Sequence, residues 1–588
     1  MKNKTIYLFL PFFIALSISA KLFGEVVNSA ALNEIESSDT AQLIEISSVE
    51  EFKNAMEQYA AIDCDIKLLS DLDFTNSDYV QCNFYGKLDG NNKTITGLKC
   101  ALFVDLYGEV KNLRFANIKS TTKRASFALI AECMRGAIIQ NCEIENVVCS
   151  YAASNARIAG FAAEATTNSE GVVSRIYDCT AKNSSFEFTG GSANSIGGIV
   201  AIAKHATIKN CAFIGLEGDD ISLGNQASFV GGIVGGVAGS VNANVTITSS
   251  LARGNISASC NNITAGVGGI VGRVDAGAIV DLQNVTNYAK VEFSDDGTGV
   301  GGIIGRAVKC NVSIKGAKNY GEIFLKGKEE SPHQSGNSIY GCGAGGIIGG
   351  FWISSGPSYN VAIENSANYG TISAGYLRHA GGIIGHACTA SSQLIGVTIS
   401  NAVNHGAVSA HNNAGGLIGF LFKPKTTTAI VNSGNTANVT ATTGYAGGMI
   451  GALEFAGQNN NKDFEMTGIA NIHNSGAIIA ESAKAGELVG CMVTPENNAY
   501  IIKIESPIYL AHENLEIVAK ITGKEASAIN AINSYPISDS ASLIRSAVKR
   551  LNVYATANML PHWVREKDYP ELSLFSNGRV VGTFIAVQ

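Results

Sequence analysis

The chain has 588 residues, of which 46% are hydrophobic and only 15% are charged, and its formal net charge is -7 at pH 7. Gly is abundant at 65 residues and Pro is rare at 9, a composition that suits a β-rich fold with many tight turns. The acidic balance excludes nucleic acid as a partner, because binding phosphates needs a basic footprint.

The first 20 residues have the layout of a secretory signal peptide. Lys2 and Lys4 precede an apolar run over residues 7–18, and the small residues Ser19 and Ala20 follow it. This predicts a secreted or cell-surface protein, with a retained N-terminal anchor as the alternative. No later stretch approaches about 20 uninterrupted apolar residues, so no membrane span is expected after signal removal.

Residues 21–80 are predicted to form an N-terminal strand and helix cap. Ser48 and Glu51 have the spacing of a capping box, and an apolar stripe at helical spacing follows them. The pattern predicts a helix over 45–60 that covers the first coil of the repeat region, and a partner-binding helix is the alternative. The stripe consists of Val49, Phe52, Met56 and Tyr59.

An internal repeat dominates residues 81–493, and it carries two marks. The first is Gly-Gly-[Ile/Leu/Met]-[Ile/Val], and the second, between successive copies of the first, is Asn-x-x-Asn-x-Gly-x-[Ile/Val]. The mean period is roughly 36 residues, which is typical of stacked repeats. The Gly-Gly copies begin at residues 197, 231, 268, 301, 345, 381, 415 and 447, with degenerate copies at 159 and 486.

Short apolar runs bounded by Gly and Asn predict about three strands per unit, without helical periodicity. Each unit would form one coil, paired in parallel with the coils before and after it. The predicted fold is all-β, a right-handed parallel β-helix of about ten coils. Gly is expected to supply positive φ at the corners and close approach of the backbone, whereas Asn368, Asn404, Asn435 and Asn474 are expected to form an amide ladder.

The repeat resembles the GLUG motif of secreted and surface proteins, which is similar in outline to pectate-lyase-like β-helices. The likeness extends to the segment around Gly86, Leu88 and Gly90, and to Trp563 with the following Tyr-Pro-Glu-Leu. The resemblance implies an adhesin-like or other non-catalytic surface role.

An enzymatic role is the alternative, because pectinolytic enzymes share this architecture. Asp219 and Asp220 resemble the paired aspartates of polygalacturonases, which act as acid and base, but the other motifs of that family are missing nearby. A lyase would instead need clustered Asp residues for calcium and a basic Arg or Lys, whereas Asp295 and Asp296 are isolated and are interpreted as a turn. We predict no catalytic residue, no cofactor and no metal site.

Histidines and cysteines are assigned structural roles. His379, His386, His405 and His411 fall within about one coil's span and are interpreted as substitutions at corners of the coil rather than as metal or catalytic residues. The chain has 13 Cys, an odd number, and no pairing follows from the sequence. Cys142, Cys179 and Cys211 recur at equivalent positions and are expected to stack as small hydrophobic residues inside consecutive coils.

The residue after the inward-facing Asn should point outward. Tyr288, Tyr320, Tyr369 and His405 would then form an aromatic file, the candidate binding site for a glycan or a cell-surface protein. Self-stacking that only stabilises the turn is the alternative. Arg273 and Arg306, which both follow the third Gly of a mark, are expected to form a similar short stack.

Residues 494–588 lack the Gly-Gly mark and hold five of the nine prolines. An apolar face predicts a helix over 540–551. The region is interpreted as a small α/β C-terminal cap or an attachment region.

Overall fold

A computed structural model gives the fold of one compact unit that begins at Gln42. The structure describes residues 43–59, 64–121, 125–191, 194–218, 222–238, 243–260, 264–294, 299–327, 342–356, 359–390, 394–455, 464–481, 484–496, 499–510, 515–522, 527–537, 540–566 and 569–575. The predicted signal peptide lies outside these ranges.

The described residues form a parallel β-solenoid, as predicted. Four sheets, named A to D in the order in which the chain passes through them, contain 16, 15, 11 and 24 strands among these residues. Sheet C has one strand in each coil that contains all four sheets, so its 11 strands correspond to 11 such coils. This number agrees with the prediction of about ten coils. Equivalent residues of successive coils lie in register, for example Asn368 beside Asn404 and Gly381 beside Gly415.

The strands have the following bounds. Sheet A contains Leu43–Ile46, Asp65–Leu68, Lys87–Asp89, Glu109–Lys111, Ile138–Gln140, Ser174–Tyr177, His205–Lys209, Asn244–Thr248, Ile279–Gln283, Asn311–Lys315, Asn360–Glu364, Gly396–Ser400, Ala429–Val431, Phe464–Ala470, Tyr500–Glu505 and Ala528–Ile532. Sheet B contains Leu72–Asp73, Thr94–Thr96, Arg114–Ala116, Glu143–Glu145, Thr180–Lys182, Ala212–Ile214, Leu251–Arg253, Thr286–Asn287, Lys318–Asn319, Ala367–Asn368, Val403–Asn404, Gly434–Asn435, His473–Asn474, Ile508–Leu510 and Tyr535–Ile537. Sheet C contains Lys119–Ser120, Val148–Ala152, Ser185–Gly190, Leu223–Asn225, Asn255–Ala258, Lys290–Phe293, Ile323–Leu325, Ile372–Ala374, Val408–Ala410, Val439–Ala441 and Ile478–Ile479. Sheet D contains Cys82–Phe84, Phe103–Leu106, Ser126–Phe127, Ala131–Arg135, Arg157–Ala159, Ala162–Thr166, Ser195–Gly197, Val200–Ala203, Phe229–Gly231, Val234–Val237, Gly266–Gly268, Val271–Val274, Gly299–Gly301, Ile304–Val308, Gly343–Gly345, Ile348–Ile353, His379–Gly381, Ile384–Thr389, Ala414–Gly415, Ile418–Phe422, Ala446–Gly447, Ile450–Glu454, Ala485–Val493 and Glu516–Thr522.

A full coil holds five short strands, so the prediction of about three per unit was wrong. One extra strand arises because the coil has four sheets, and the other because the Gly-Gly mark lies inside sheet D and divides it in two, as between Gly343–Gly345 and Ile348–Ile353. Strands as short as two residues, such as Ala367–Asn368, leave too few residues for a visible alternation of apolar and polar side chains. The interior is filled by one continuous apolar cluster that runs through the coils.

The Gly-Gly marks require Gly because the backbone packs closely there and not because it adopts a positive φ. In the eight Gly-Gly marks, which begin at residues 197 to 447, neither Gly has a φ in the left-handed region, so that part of the prediction was wrong. A Cβ atom on Gly346 would lie 2.2 Å from the carbonyl oxygen of Gly382 and 2.4 Å from Cγ of Asn368. The second Gly of the Gly-Gly mark therefore packs against the second Asn of the Asn-x-x-Asn mark across the inside of the coil. This contact explains why the two marks share one period.

Two amide ladders follow from the Asn-x-x-Asn mark. The first Asn of each copy has positive φ, for example 52° at Asn365 and 51° at Asn401, and these residues bond to each other along the outside. The second Asn is buried, and its Nδ2 donates to Oδ1 of the next coil over 2.7 to 2.8 Å. The predicted ladder is thus confirmed, with turn geometry and interior bonding assigned to different Asn residues.

Helix α1 covers Val49–Tyr59 and is shorter than predicted. Residues 43–46 instead form a strand that pairs with residues 65–68. Ser48 Oγ accepts a hydrogen bond from the Glu51 backbone N–H at 3.2 Å, while the Glu51 carboxylate accepts one from Ser47. The buried face of α1 places Phe52 in edge contact with Phe74, at a ring-centroid distance of 5.7 Å.

Coil pairing continues beyond residue 493, the predicted end of the repeat region. Strands up to Tyr535–Ile537 remain in parallel register with the preceding coils. The sequence hides these coils because Ala519 stands where earlier marks have their last Gly. Helix α2 then covers Ser540–Ala557, and an antiparallel hairpin pairs Trp563–Glu566 with Tyr569–Leu572.

Candidate functional site

The aromatic file lies on the turn between sheets B and C. At each turn the second Asn of the mark points inward and bonds to the backbone two residues later, as Asn368 Nδ2 does to the Gly370 carbonyl at 2.9 Å. This bond fixes the turn, so the intervening residue points outward. Tyr288 and Tyr320 are 43% and 41% exposed, as the outward orientation predicts.

The four rings of the file stack on one another. Ring centroids are separated by 5.1 Å between Tyr288 and Tyr320, 4.7 Å between Tyr320 and Tyr369, and 5.1 Å between Tyr369 and His405. The tyrosine rings lie within 7° of parallel. Each inner ring therefore has both faces covered by its neighbours.

Both ends of the file are also covered. The Arg253 guanidinium lies over the Tyr288 ring, 5.3 Å from its centroid. At the other end, the Glu571 carboxylate contacts His405 Nε2 at 2.7 Å, while Thr436 Oγ1 is 2.7 Å from His405 Nδ1. A ligand can thus reach ring edges and phenol groups but cannot stack on a ring face.

The tyrosine edges present hydrogen-bonding groups at the coil spacing. Burial raises the pKa of Tyr320, and Tyr288 beside it acts in the same direction. The Tyr320 phenol therefore stays protonated at neutral pH and can donate as well as accept a hydrogen bond.

His405 differs from the other three members. Its side chain is only 9% exposed, because the C-terminal hairpin lies over it. The sequence places His405 in the file correctly but gives no signal of this cover, since Glu571 is more than 160 residues away along the chain. The exposed part of the file is formed by the tyrosines.

The C-terminal hairpin is attached to the side of the coils through Trp563. The indole N–H donates to Asn432 Oδ1 at 2.7 Å, and Asn432 Nδ2 donates to the Pro561 carbonyl at 2.9 Å. The indole lies over Gly434, where an added Cβ would be 3.0 Å from Trp563 Cη2. Asn552 of α2 bonds to the Trp563 backbone, which fixes the hairpin to the helix.

A second cluster lies on sheet D and was not predicted as a unit. His379 contacts His386 edge-on at 4.8 Å and stacks on Phe420 at 4.7 Å. His386 lies inside strand Ile384–Thr389, so its interpretation as a corner residue was wrong. Burial lowers the pKa of His379, and burial lowers the pKa of His386 to about 4.

Sequence register gives a partial signal for this cluster. His386 and Phe420 are register partners that follow the last Gly of successive marks, as Arg273 and Arg306 are in earlier coils. Arg273 and Arg306 occupy equivalent register positions, and their predicted stack stays a prediction because each guanidinium lies over a different ring, Arg273 over Phe229 at 4.9 Å. Arg306 is 2% exposed and lies over the Trp352 ring at 5.7 Å.

The remaining candidate residues divide between buried thiols and residues outside the described ranges. Cys142, Cys179 and Cys211 are buried free thiols in consecutive coils, as expected. The aspartates at 219–220 and 295–296 lie outside the described residues. Within those ranges no group of three or more His, Cys, Asp or Glu side chains is arranged to hold a metal ion, and no helix is long and apolar enough to cross a membrane.

Comparison with known proteins gives little further information. No family model matches the sequence, and no curated protein matches it. One solved structure, described as a "putative immunoglobulin A1 protease from Bacteroides ovatus", is 17% identical and aligns with 50% of this chain and 86% of its own. Its TM-score of 0.29 is too low to support an argument about fold or function.

Proposed function

We propose that the protein is a secreted or cell-surface scaffold that binds a glycan without chemical turnover. The observation that carries the proposal is the row of tyrosine edges at Tyr288, Tyr320 and Tyr369. Because the rings stack within 5.1 Å of one another, their phenol groups form a preorganised line of donors and acceptors. Preorganised groups lose little conformational entropy on binding.

The chemistry of the line favours a polyhydroxylated ligand over an apolar one. Covered ring faces remove the flat apolar surface on which an aromatic side chain or a sugar face would stack. The buried Asn ladder and the Gly-Gly packing beneath the turn hold the spacing of the edges. Secretion is part of the proposal and is supported by the layout of residues 1–20.

A glycan array tests this proposal. The full-length secreted chain should bind a defined subset of glycans, and Tyr320→Ala should lose at least about tenfold in affinity, in the range of losing one hydrogen bond together with its packing. Tyr85→Ala is the matched control, since Tyr85 forms a separate stack with Tyr107 at 4.3 Å. Binding that is equal in wild type and Tyr320→Ala, or no binding on the array, would contradict the proposal.

A reducing-end assay on the bound glycans separates binding from hydrolysis. We expect no increase in reducing ends during incubation with the protein. Release of reducing ends that is lost in Asp219→Asn or Asp220→Asn would favour the glycoside hydrolase alternative.

A further inference from the structure

The C-terminal segment has a small apolar core of its own. Ala547, Val548 and Leu551 of α2 pack with Trp563 and Leu572 of the hairpin. Among the described residues this cluster is separate from the continuous core inside the coils, and its members from the solenoid are Val403 and Ile508. A segment with its own core can open as a unit without unfolding the coils.

The segment is attached to one register of a repeating surface. Along sheet B, the position before the buried Asn is occupied by Val403, Gly434 and His473 in successive coils, and by Ile508 in the next coil, where Tyr509 replaces the Asn. Only Gly434 lacks a side chain, and the indole of Trp563 fills that gap. The contact between Glu571 and His405 lies one coil earlier, so the two attachments together select a single register.

Packing beneath the segment is incomplete. A cleft of about 190 Å³ lies between α2 and the last coils, lined by Ser506, Ile508, Asn533, Arg550 and Val553. The cleft opens to solvent beside the exposed Val553, so the packing of α2 on the last coils is interrupted there. The attachment consists of the apolar contact with Val403 and Ile508, the Trp563 contacts and the Glu571 contact.

We propose that helix α2 and the hairpin strands, residues 540–557, 563–566 and 569–572, form a releasable strap that covers the His405 end of the aromatic file. Release would expose the His405 ring and lengthen the file by one member. The opening of the strap does not depend on what the aromatic file binds. Only the role of the strap in controlling glycan binding rests on the proposed function. The strap would then be an intramolecular competitor for part of the glycan surface.

Chemical modification of His405 tests the opening directly. Diethyl pyrocarbonate acylates accessible histidines, and mass spectrometry reports the rate at each one. In wild type, the modification rate of His405 should be low compared with that of the half-buried His205, which serves as the internal reference. In Trp563→Ala the rate at His405 should rise at least about tenfold, because the packing lost when a buried Trp is truncated corresponds to more than a tenfold change in the opening equilibrium.

A second variant alters the solenoid side and leaves the strap sequence intact. Gly434→Leu fills the space above Gly434 that the indole occupies, where even a Cβ would lie 3.0 Å from Trp563 Cη2, and should expose His405 in the same way. Thr286→Leu is the matched control, because Thr286 occupies the equivalent position of sheet B in a coil outside the strap. It should leave the rate at His405 unchanged.

Hydrogen exchange distinguishes release from unfolding. Peptides from α2 should gain exchange in both variants, whereas peptides covering residues 396–441 should keep their protection. Slow modification of His405 in both variants, or equal loss of protection in strap and coils, would overturn the proposal. These readouts contain no ligand, so failure of glycan binding would leave them unchanged.

Discussion

Asn404→Ala tests whether the buried amide ladder holds the coils together. The Asn404 side chain is fully buried, and its Nδ2 donates to the Gly406 carbonyl at 2.9 Å and to Asn435 Oδ1 at 2.8 Å. Its Oδ1 accepts from Asn368 Nδ2 at 2.7 Å. Truncation to Ala removes all of these bonds and leaves their partners buried.

The expected cost is large because the partners cannot reach water. A buried polar group that loses its partner costs about 1–3 kcal/mol, so three such groups give a loss of about 3–9 kcal/mol. Asn438→Ala is the matched control, since Asn438 is exposed and only its Oδ1 accepts a bond, from the Ala477 backbone. This control should cost less than about 1 kcal/mol.

Hydrogen exchange at rising denaturant is the appropriate assay, because solenoid coils can open locally. The free energy of opening should fall in peptides covering 396–410 and 429–441, and much less in coils near residue 200. Asn404→Asp, which keeps the shape but loses both donors, should be at least as destabilising at pH 7. The ladder would be refuted as the source of stability if Asn404→Ala lowered the free energy of opening no more than Asn438→Ala does. It would also be refuted if Asn404→Asp left that free energy unchanged.

Three further outcomes are expected. Gly382→Ala should destabilise by more than about 3 kcal/mol or prevent folding, since its Cβ would lie 2.1 Å from a backbone oxygen that cannot rotate away; thermal unfolding measures this. Acid should destabilise the coils around His386. The pKa of His386 in the folded protein is about 4, below the ordinary value of about 6.5, so the unfolded chain binds more protons between these two pH values. The free energy of unfolding should therefore fall by about 2 kcal/mol from pH 7.5 to pH 5. In urea unfolding, His386→Phe should remove this part of the pH dependence. Tyr320→Ala should lower thermal stability by only about 0.5–1.5 kcal/mol, because it breaks ring stacking on an exposed turn; a loss above about 4 kcal/mol would make the file a structural element first.

The sequence predicts the solenoid and its ladders because the same residues recur at the same register. The contact between Gly346 and Asn368 recurs in successive coils from Gly269 with Asn287 to Gly448 with Asn474, so one period of the sequence predicts the packing of all of these coils. The sequence does not separate the two effects of glycine, since positive φ and close packing both select Gly. Only the distances around Gly346 show that packing is the cause.

Contacts that occur once could not be predicted in this way. Trp563 meets Gly434 and Asn432 through a packing that has no periodic counterpart, and the sequence offers many equivalent Asn residues along the same side. The cover over His405 follows from that single docking. For the same reason the sequence identifies the aromatic file but not which of its members a ligand can reach.

The most direct measurement is the affinity of the full-length protein for its strongest array glycan when the phenol oxygens are removed but the rings are kept. In Tyr288→Phe/Tyr320→Phe the stack is preserved, so thermal stability should match wild type while the dissociation constant rises at least about tenfold, as expected from losing two hydrogen bonds. Tyr85→Phe should bind as wild type does. Unchanged affinity in the double variant would show that the tyrosine edges are not the contact surface and would contradict the proposed function.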